Sequence, residues 1–187
     1  MRSFVGLPLP DDLAEDLERR AATVQAGRVV PAENLHLTLA FLGDQTLQSL
    51  TALDAELVMI RAEAPRLRWG PPDFFGGTRT RVFALTVEPD PALMVLQARV
   101  VRAARLAGVM LPAARFRPHV TVIRLNPEGG ARQKGRLQDL ILSGRLTGLP
   151  DVMADTLTLY RSHLRESGAR YERLADYPLD IIPAEGA

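Results

Sequence analysis

The first forty residues alternate between apolar runs and a stretch with helical periodicity. Residues 4–9 are mainly apolar and end at prolines followed by two aspartates, which predicts a strand and then a helix start. Over residues 11–24, leucine and valine recur at helical spacing among acidic and basic residues, as in an amphipathic surface helix. Residues 34–43 are again apolar and end at a glycine. The pattern therefore predicts a strand, a helix and a strand in succession.

The same order of elements recurs in the second half of the chain. Residues 82–87 predict a strand, and apolar residues at helical spacing then continue to about Ala107, where Gly108 supplies a stop signal. Residues 116–125 predict the strand that follows. Corresponding positions of the two copies are 79 to 83 residues apart, and the copies begin near residues 2 and 81. A unit used twice predicts two similar lobes related by an approximate twofold axis.

The remaining elements are predicted as additions to this repeat. They are a helix over residues 46–63, strands near 66–70, 152–161 and 170–178, and loops at 126–130 and 165–168. No linker between them is long enough to separate independent domains, so we expect one domain over residues 1–187.

Composition narrows the classes of function. With 47% hydrophobic and 24% charged residues the chain is typical of a globular protein, and its net charge of +1 gives no general case for nucleic-acid binding. The absence of cysteine excludes disulfides, thiolate metal sites and cysteine nucleophiles. No apolar stretch has the length of a signal sequence or a membrane span, so we expect a cytoplasmic protein. We also expect a monomer.

The strongest chemical signal is a His-x-Thr-x tetrapeptide in each copy. Because alternate residues of a strand share a face, His36 lies beside Thr38, and His119 beside Thr121. Two imidazoles with a pKa near 6.5 can supply a base and an acid at neutral pH, and two hydroxyls can donate to phosphate oxygens. The set suits hydrolysis of a phosphodiester and requires no metal or cofactor. His163 has no such partner, so we expect a surface residue.

A single tetrapeptide of this kind is usually structural, but its recurrence at matching places favours catalysis. The chain resembles the two-histidine (2H) phosphoesterases, specifically the RNA 2′,3′-cyclic phosphodiesterases, also called 2′-5′ RNA ligases. The resemblance covers nearly the whole chain and rests mainly on these segments: 2–5, 30–43, 116–122, 159–162 and 168–172.

The resemblance implies both a fold and an activity. The fold would be α+β and bilobal, with an antiparallel sheet and flanking helices in each lobe and a cleft between them. The activity would be hydrolysis of RNA 2′,3′-cyclic phosphate ends to 2′-phosphates, with weak reverse formation of 2′-5′ bonds. His36 would be the proton donor and His119 the proton acceptor, although the repeat makes these roles reversible in principle.

The resemblance also implies that two further residues, Arg124 and Phe41, contact the substrate. Arg124 lies where relatives often have a phosphate-binding arginine. Phe41 lies at the same offset in the first copy, where it would either stack on a base or be a core residue. Strict strand alternation places Arg124 on the face opposite His119, so it can serve only if the strand twists or ends there. Residues 76–81, rich in glycine and arginine, are either an RNA contact or a flexible loop.

Three alternatives stay open at this point. The same two histidines would serve a phosphodiesterase acting on a small cyclic nucleotide, and a non-catalytic RNA-binding module is a rival of another class. A histidine-liganded metalloenzyme lacks support, since no third ligand sits at ligand spacing. Whether ATP or another nucleotide binds in the cleft is not decided by the sequence, which contains no phosphate loop of the GxxxxGK[ST] type.

Overall fold

The computed structural model describes residues 1–76, 82–113, 115–126, 130–165 and 168–181. These residues form four α-helices, a short 3₁₀ helix and ten strands. In chain order the elements are β1 Arg2–Pro8, α1 Asp11–Ala22, β2 Arg28–Val29, the 3₁₀ helix Ala32–Asn34, β3 His36–Asp44, α2 Leu47–Leu57, β4 Arg66–Leu67, β5 Trp69–Phe75, β6 Val82–Val87, α3 Pro91–Leu106, β7 His119–Arg124, α4 Gly130–Leu142, β8 Val152–Met153, β9 Thr156–Arg165 and β10 Gly168–Pro178.

Eight of the strands in this part of the chain form one antiparallel sheet. Its order is β10-β9-β1-β3-β7-β6-β5, with β2 paired to β7, while β4 and β8 form a separate pair. The repeat is visible in this order, because β3 and β7 meet at the centre while β1 and β6 flank them. The predicted α+β class with antiparallel pairing is confirmed. The strands of the first copy and those of the second meet where β3 pairs with β7, which we call the seam. There Leu37 is the register partner of Val120.

The helices begin and end where local chemistry favours it. In α1, acidic residues occupy the first turn and arginines the last, which complements the helix dipole. In α3, the Asp90 carboxylate accepts hydrogen bonds from the backbone N–H groups of Ala92 and Leu93, and Pro91 occupies the first turn. Both helices bury one apolar face in the core, where each fully buried leucine contributes about 2 kcal/mol. Within the described residues, no helix is long and apolar enough to cross a membrane.

Several boundaries predicted from the sequence were wrong. The helix expected over residues 46–63 ends at Leu57, and the strand expected over 152–161 divides into β8 and β9. Helix α4 was not predicted, because Gly130 and Gly135 lower its helix propensity. Burial of Leu137 and Leu140 in the core, rather than local propensity, accounts for this helix. Residues 77–81, and the tips of two predicted loops at 127–129 and 166–167, lie outside the described part.

Candidate active site

Both tetrapeptides lie at the centre of the sheet, on the neighbouring antiparallel strands β3 and β7. Leu37 and Val120, the paired residues at the seam, are fully buried and point into the core. Because successive side chains of a strand point to opposite faces, the histidine and threonine that flank each of them share the other face. The predicted placement of four polar side chains on one surface follows directly from this register.

The register also sets how the four polar side chains face one another. Leu37 pairs with Val120 in antiparallel register. The residues on either side of this pair therefore face each other: His36 lies opposite Thr121, and Thr38 lies opposite His119. Each imidazole therefore has a hydroxyl of the other copy across from it. The two histidines are diagonal neighbours, which in an antiparallel pair places their backbones roughly 7–8 Å apart. A phosphate group can thus approach both imidazoles at once.

Hydrogen bonds hold the ring of His36 in one orientation. Its Nδ1 donates to the backbone oxygen of Asn34 at 2.7 Å, and its Nε2 lies 2.9 Å from the Thr38 hydroxyl. A carbonyl oxygen only accepts, so Nδ1 carries the proton in the neutral ring and Nε2 accepts from the hydroxyl. The nitrogen available for proton transfer is therefore Nε2.

The ring of His119 is held in the same way. Its Nδ1 donates to the backbone oxygen of Arg117 at 2.6 Å. In both copies the acceptor is the carbonyl two residues before the histidine, so the repeat extends to the orientation of the imidazole. His119 also offers Nε2 for chemistry.

Aromatic rings from other strands cover both imidazoles. Phe4 stacks on His36 with ring centroids 4.6 Å apart, and Tyr171 meets the same imidazole edge-on at 5.2 Å. Phe75 stacks on His119 at 4.2 Å. The sequence did not predict that these residues belong to the site, because the contacts join strands that are distant along the chain. The signal that could have identified two of them is that Phe4 and Tyr171 fall in segments that resemble the family.

Burial and nearby positive charge lower the pKa of both histidines. For His36, burial is the largest cause, and the charges of Arg124 and His119 add to it; the bond to Asn34 opposes them, and the pKa falls from 6.5 to about 4. For His119, burial again comes first, the bond to Arg117 opposes it, and the Arg117 charge lowers the pKa further. Both rings are therefore mainly neutral at pH 7 in the free protein.

Asn34 ties the last strand to the start of β3. Its side chain is buried, with its amide nitrogen donating to the Ala169 carbonyl at 3.0 Å and its amide oxygen accepting from the Tyr171 backbone N–H at 3.2 Å. Its own carbonyl orients His36. One residue therefore couples the β9–β10 hairpin to the imidazole, and sequence reasoning gave no sign of it.

A β-bulge in β7 corrects the expectation for Arg124. Ala84 pairs with Thr121 and Phe83 pairs with Ile123, which leaves Val122 as the extra residue. An inserted residue reverses the alternation of side chains beyond it, so Arg124 returns to the face of the tetrapeptide. Its guanidinium donates to the Tyr171 hydroxyl at 3.0 Å.

An equivalent bulge lies in β3. Val5 pairs with Ala40 and Gly6 pairs with Thr38, which leaves Leu39 as the extra residue. Phe41 is thereby turned out of the core, and it is 65% exposed. The alternative that Phe41 is a core residue is thus excluded, and the side chain is available to a ligand.

Two cavities open beside the tetrapeptides, and Phe41 lines both. The first, of about 600 Å³, contains three arginines and is called the arginine cavity; its main side-chain lining is Arg2, Phe4, Arg28, Phe41, Arg124 and Tyr171. The second, of about 870 Å³, lies along α3 and contains Thr38, Phe75 and His119. His119 lines the second cavity, while His36 borders the first through Phe4 and Tyr171, which contact its ring.

The third histidine is not part of this cleft. His163 lies on the β9–β10 hairpin, where its Nε2 is 2.7 Å from the Glu172 carboxylate, and its side chain is 34% exposed. The expectation of a surface residue is confirmed. Among the residues that the structure describes, no three histidine or carboxylate side chains cluster as metal ligands would.

Comparison with known proteins gives the family. The 2′-5′ RNA ligase superfamily matches residues 8–164. The RNA 2′,3′-cyclic phosphodiesterase of Escherichia coli K12 is 33% identical over 127 residues, covering 66% of this chain and 71% of that protein. The protein of the same name from Geobacillus stearothermophilus is 26% identical over 183 residues, covering 94% of this chain and 56% of its own length.

A solved structure shares the fold over nearly its whole length. The crystal structure of E. coli LigT complexed with 3′-AMP superimposes with a TM-score of 0.75 at 26% identity, covering 95% of this chain and 97% of that one. The family inferred from the paired tetrapeptides is confirmed by sequence and by fold. The chain belongs to the 2′-5′ RNA ligase superfamily.

Proposed function

We propose that the protein hydrolyses RNA 2′,3′-cyclic phosphate ends to 2′-phosphates, with His36 as proton donor and His119 as proton acceptor. One observation carries the proposal: two imidazoles lie on adjacent strands with each Nδ1 bonded to a carbonyl, which leaves the Nε2 atom of each for proton transfer. Two relatives named RNA 2′,3′-cyclic phosphodiesterases support the choice of substrate.

The reaction needs one proton removed and one supplied. His119 Nε2 takes a proton from water as the water oxygen bonds to phosphorus. The bond between phosphorus and the 3′-oxygen breaks, and that oxygen takes a proton from His36 Nε2. The products are a 2′-phosphate and a free 3′-hydroxyl, and exchange with solvent returns both histidines to their starting states. If an RNA 5′-hydroxyl attacked phosphorus in place of water, giving its proton to His119 while the 3′-oxygen left with a proton from His36, a 2′-5′ bond would form at the same site.

Hydrogen-bond donors on the same face hold the charge that develops on phosphate. Once Nε2 of His36 carries its proton it no longer accepts from the Thr38 hydroxyl, so the hydroxyls of Thr38 and Thr121 would donate to non-bridging oxygens, while Arg124 supplies a full positive charge. Removing one such donor typically costs about 10²-fold or more in rate. The bulge in β7 is what places the Arg124 charge on this face.

The substrate helps to set the protonation of the donor. In the free protein the pKa of His36 is about 4, so few molecules carry its proton at pH 7. A bound phosphate brings negative charge next to the ring and offsets the positive charge of Arg124, which raises the pKa of His36. Proton uptake by His36 thus accompanies binding of the substrate.

A first experiment measures hydrolysis of an oligoribonucleotide ending in a 2′,3′-cyclic phosphate, in excess chelator. We expect wild-type turnover to a 2′-phosphate and losses of about 10²-fold or more for His36→Ala and for His119→Ala. The matched control is His163→Ala, which removes the third imidazole and should stay within about twofold of wild type.

The outcomes separate the remaining alternatives. Turnover of a small cyclic nucleotide but not of the oligonucleotide would favour the small-nucleotide phosphodiesterase. RNA binding without turnover of either would indicate a binding module, and activity that disappears in chelator would require a metal.

A further inference from the structure

Three positive side chains converge on the arginine cavity from different strands. Arg2 comes from β1, Arg28 from β2 and Arg124 from β7, and all three line the same space of about 600 Å³. The described part of this lining contains no aspartate or glutamate. A cavity of this size with this charge is suited to an anionic ligand larger than a single phosphate.

Arg28 and Arg124 are held next to each other by the fold. They are direct register partners in the β2–β7 pairing. Like charges directly opposite one another in a sheet lower stability, so this placement is costly without an anion between them.

The opposite wall leaves room for the Arg28 side chain. A Cβ atom at position 168 would lie 2.9 Å from Arg28 Nη1, and Gly168 has a φ of +129°, which favours glycine. The guanidinium therefore lies directly against the backbone of β10, in a position that a larger residue at 168 would disturb.

The scissile group does not need all three charges. A 2′,3′-cyclic phosphate carries one negative charge, and Arg124 is already placed beside the histidines. Arg28 and Arg2 extend the positive surface beyond it, along a wall that also contains Phe4, Phe41 and Tyr171. Alternating cationic and aromatic groups match the phosphodiesters and bases of a single RNA strand.

Building on the proposed function, we propose that the arginine cavity binds the phosphodiester that precedes the terminal nucleotide of the RNA, with Arg28 as its main contact. The protein then recognises at least two nucleotides of the RNA end, and it prefers a cyclic-phosphate-ended oligonucleotide to a cyclic mononucleotide.

The test compares two substrates: 2′,3′-cyclic AMP and an adenylyl dinucleotide ending in a 2′,3′-cyclic phosphate. The quantity measured is the ratio of kcat/KM for the dinucleotide to kcat/KM for cyclic AMP. In Arg28→Gln we expect this ratio to fall about tenfold, the usual effect of losing one charge-assisted hydrogen bond. The matched control is Arg66→Gln, since Arg66 is an exposed arginine of the separate β4–β8 pair. An unchanged ratio in Arg28→Gln, or an equal fall in Arg66→Gln, would overturn the proposal.

A binding measurement keeps the inference separate from catalysis. Fluorescence anisotropy with a labelled hexaribonucleotide bearing a 3′-phosphate gives the affinity at several salt concentrations. Loss of one phosphate contact in Arg28→Gln should reduce the slope of log affinity against log salt by about 0.7. If the wild type hydrolyses neither substrate, the proposed function fails, and an unchanged slope would then reject the cavity as well. Arg2→Gln provides a second variant if Arg28→Gln does not fold.

Discussion

Acidification should destabilise the protein through His36. In the folded protein its pKa is lowered from 6.5 to about 4, mainly by burial. Below pH 6.5 the unfolded chain therefore binds a proton that the folded chain does not. Stability falls as the pH drops from 6.5 towards 4 and then levels off with respect to this group.

The size of the effect follows from the two pKa values. Each unit of difference corresponds to about 1.36 kcal/mol, so the free energy of unfolding should fall by about 2 kcal/mol at pH 5 and by at most about 3 kcal/mol at pH 4. These values are upper limits, because the His36 residue is half-buried and nearby solvent screens its charge. His119 has a pKa shift in the same direction and adds to the total loss.

Urea unfolding at pH 7.5, 6.5, 5.5 and 4.5 measures the effect, with wild type compared to His36→Gln. The glutamine cannot titrate, so the difference in unfolding free energy between the two proteins isolates the imidazole. His163→Gln is the control, since its ring is on the partly exposed hairpin. Parallel pH profiles for wild type and His36→Gln would refute the argument that burial keeps this ring neutral. Titration of the ring by NMR would give its pKa directly.

Two further predictions concern the walls of the cleft. Phe41→Ala should change the free energy of unfolding by no more than about 0.5 kcal/mol, since the ring is exposed, but weaken RNA binding by about 1 to 3 kcal/mol; a large stability loss with unchanged affinity would contradict this. In Gly6→Ala the new methyl would lie 2.8 Å from the Leu37 carbonyl oxygen and 3.2 Å from His36 Cδ2. We therefore expect the free energy of unfolding to fall by about 1 to 3 kcal/mol and the activity to fall about tenfold or more. Gly135→Ala in α4, where a methyl meets nothing within 4 Å, is the control and should be neutral or slightly stabilising when unfolding is followed in urea.

The placement of the two histidines and two threonines on one face could be predicted from the sequence because it depends on local periodicity. A histidine and a threonine two residues apart share a face in any strand, and their recurrence at matching places predicts two related lobes that each contribute one histidine. Arg124 could not be placed, because strict alternation fails at a bulge. The pairs of consecutive buried residues, Leu39-Ala40 and Val122-Ile123, are the signal that two-residue periodicity is broken there.

The surroundings of the histidines could not be predicted for a different reason. Phe75 reaches His119 from β5, and Arg28 reaches the cleft from a strand of two residues paired to β7. These contacts depend on which strands are neighbours in the sheet. A single sequence carries no pattern that fixes such pairings, so only the fold brings these side chains into the site.

The matching bulges give the cleft a direction. They turn the fifth residue after each histidine to the face of the tetrapeptides, and the two copies place different groups there, an aromatic ring at Phe41 and a cation at Arg124. A symmetric backbone with identical side chains would accept a nucleotide in either of two orientations related by the twofold axis. Because the two copies offer a ring and a charge at this position, the proposed substrate would fit in only one of these orientations, with its base on Phe41 and its phosphate on Arg124, and would present one particular ester oxygen to each imidazole. The difference at this one position would thereby distinguish the proposed proton donor from the proposed proton acceptor.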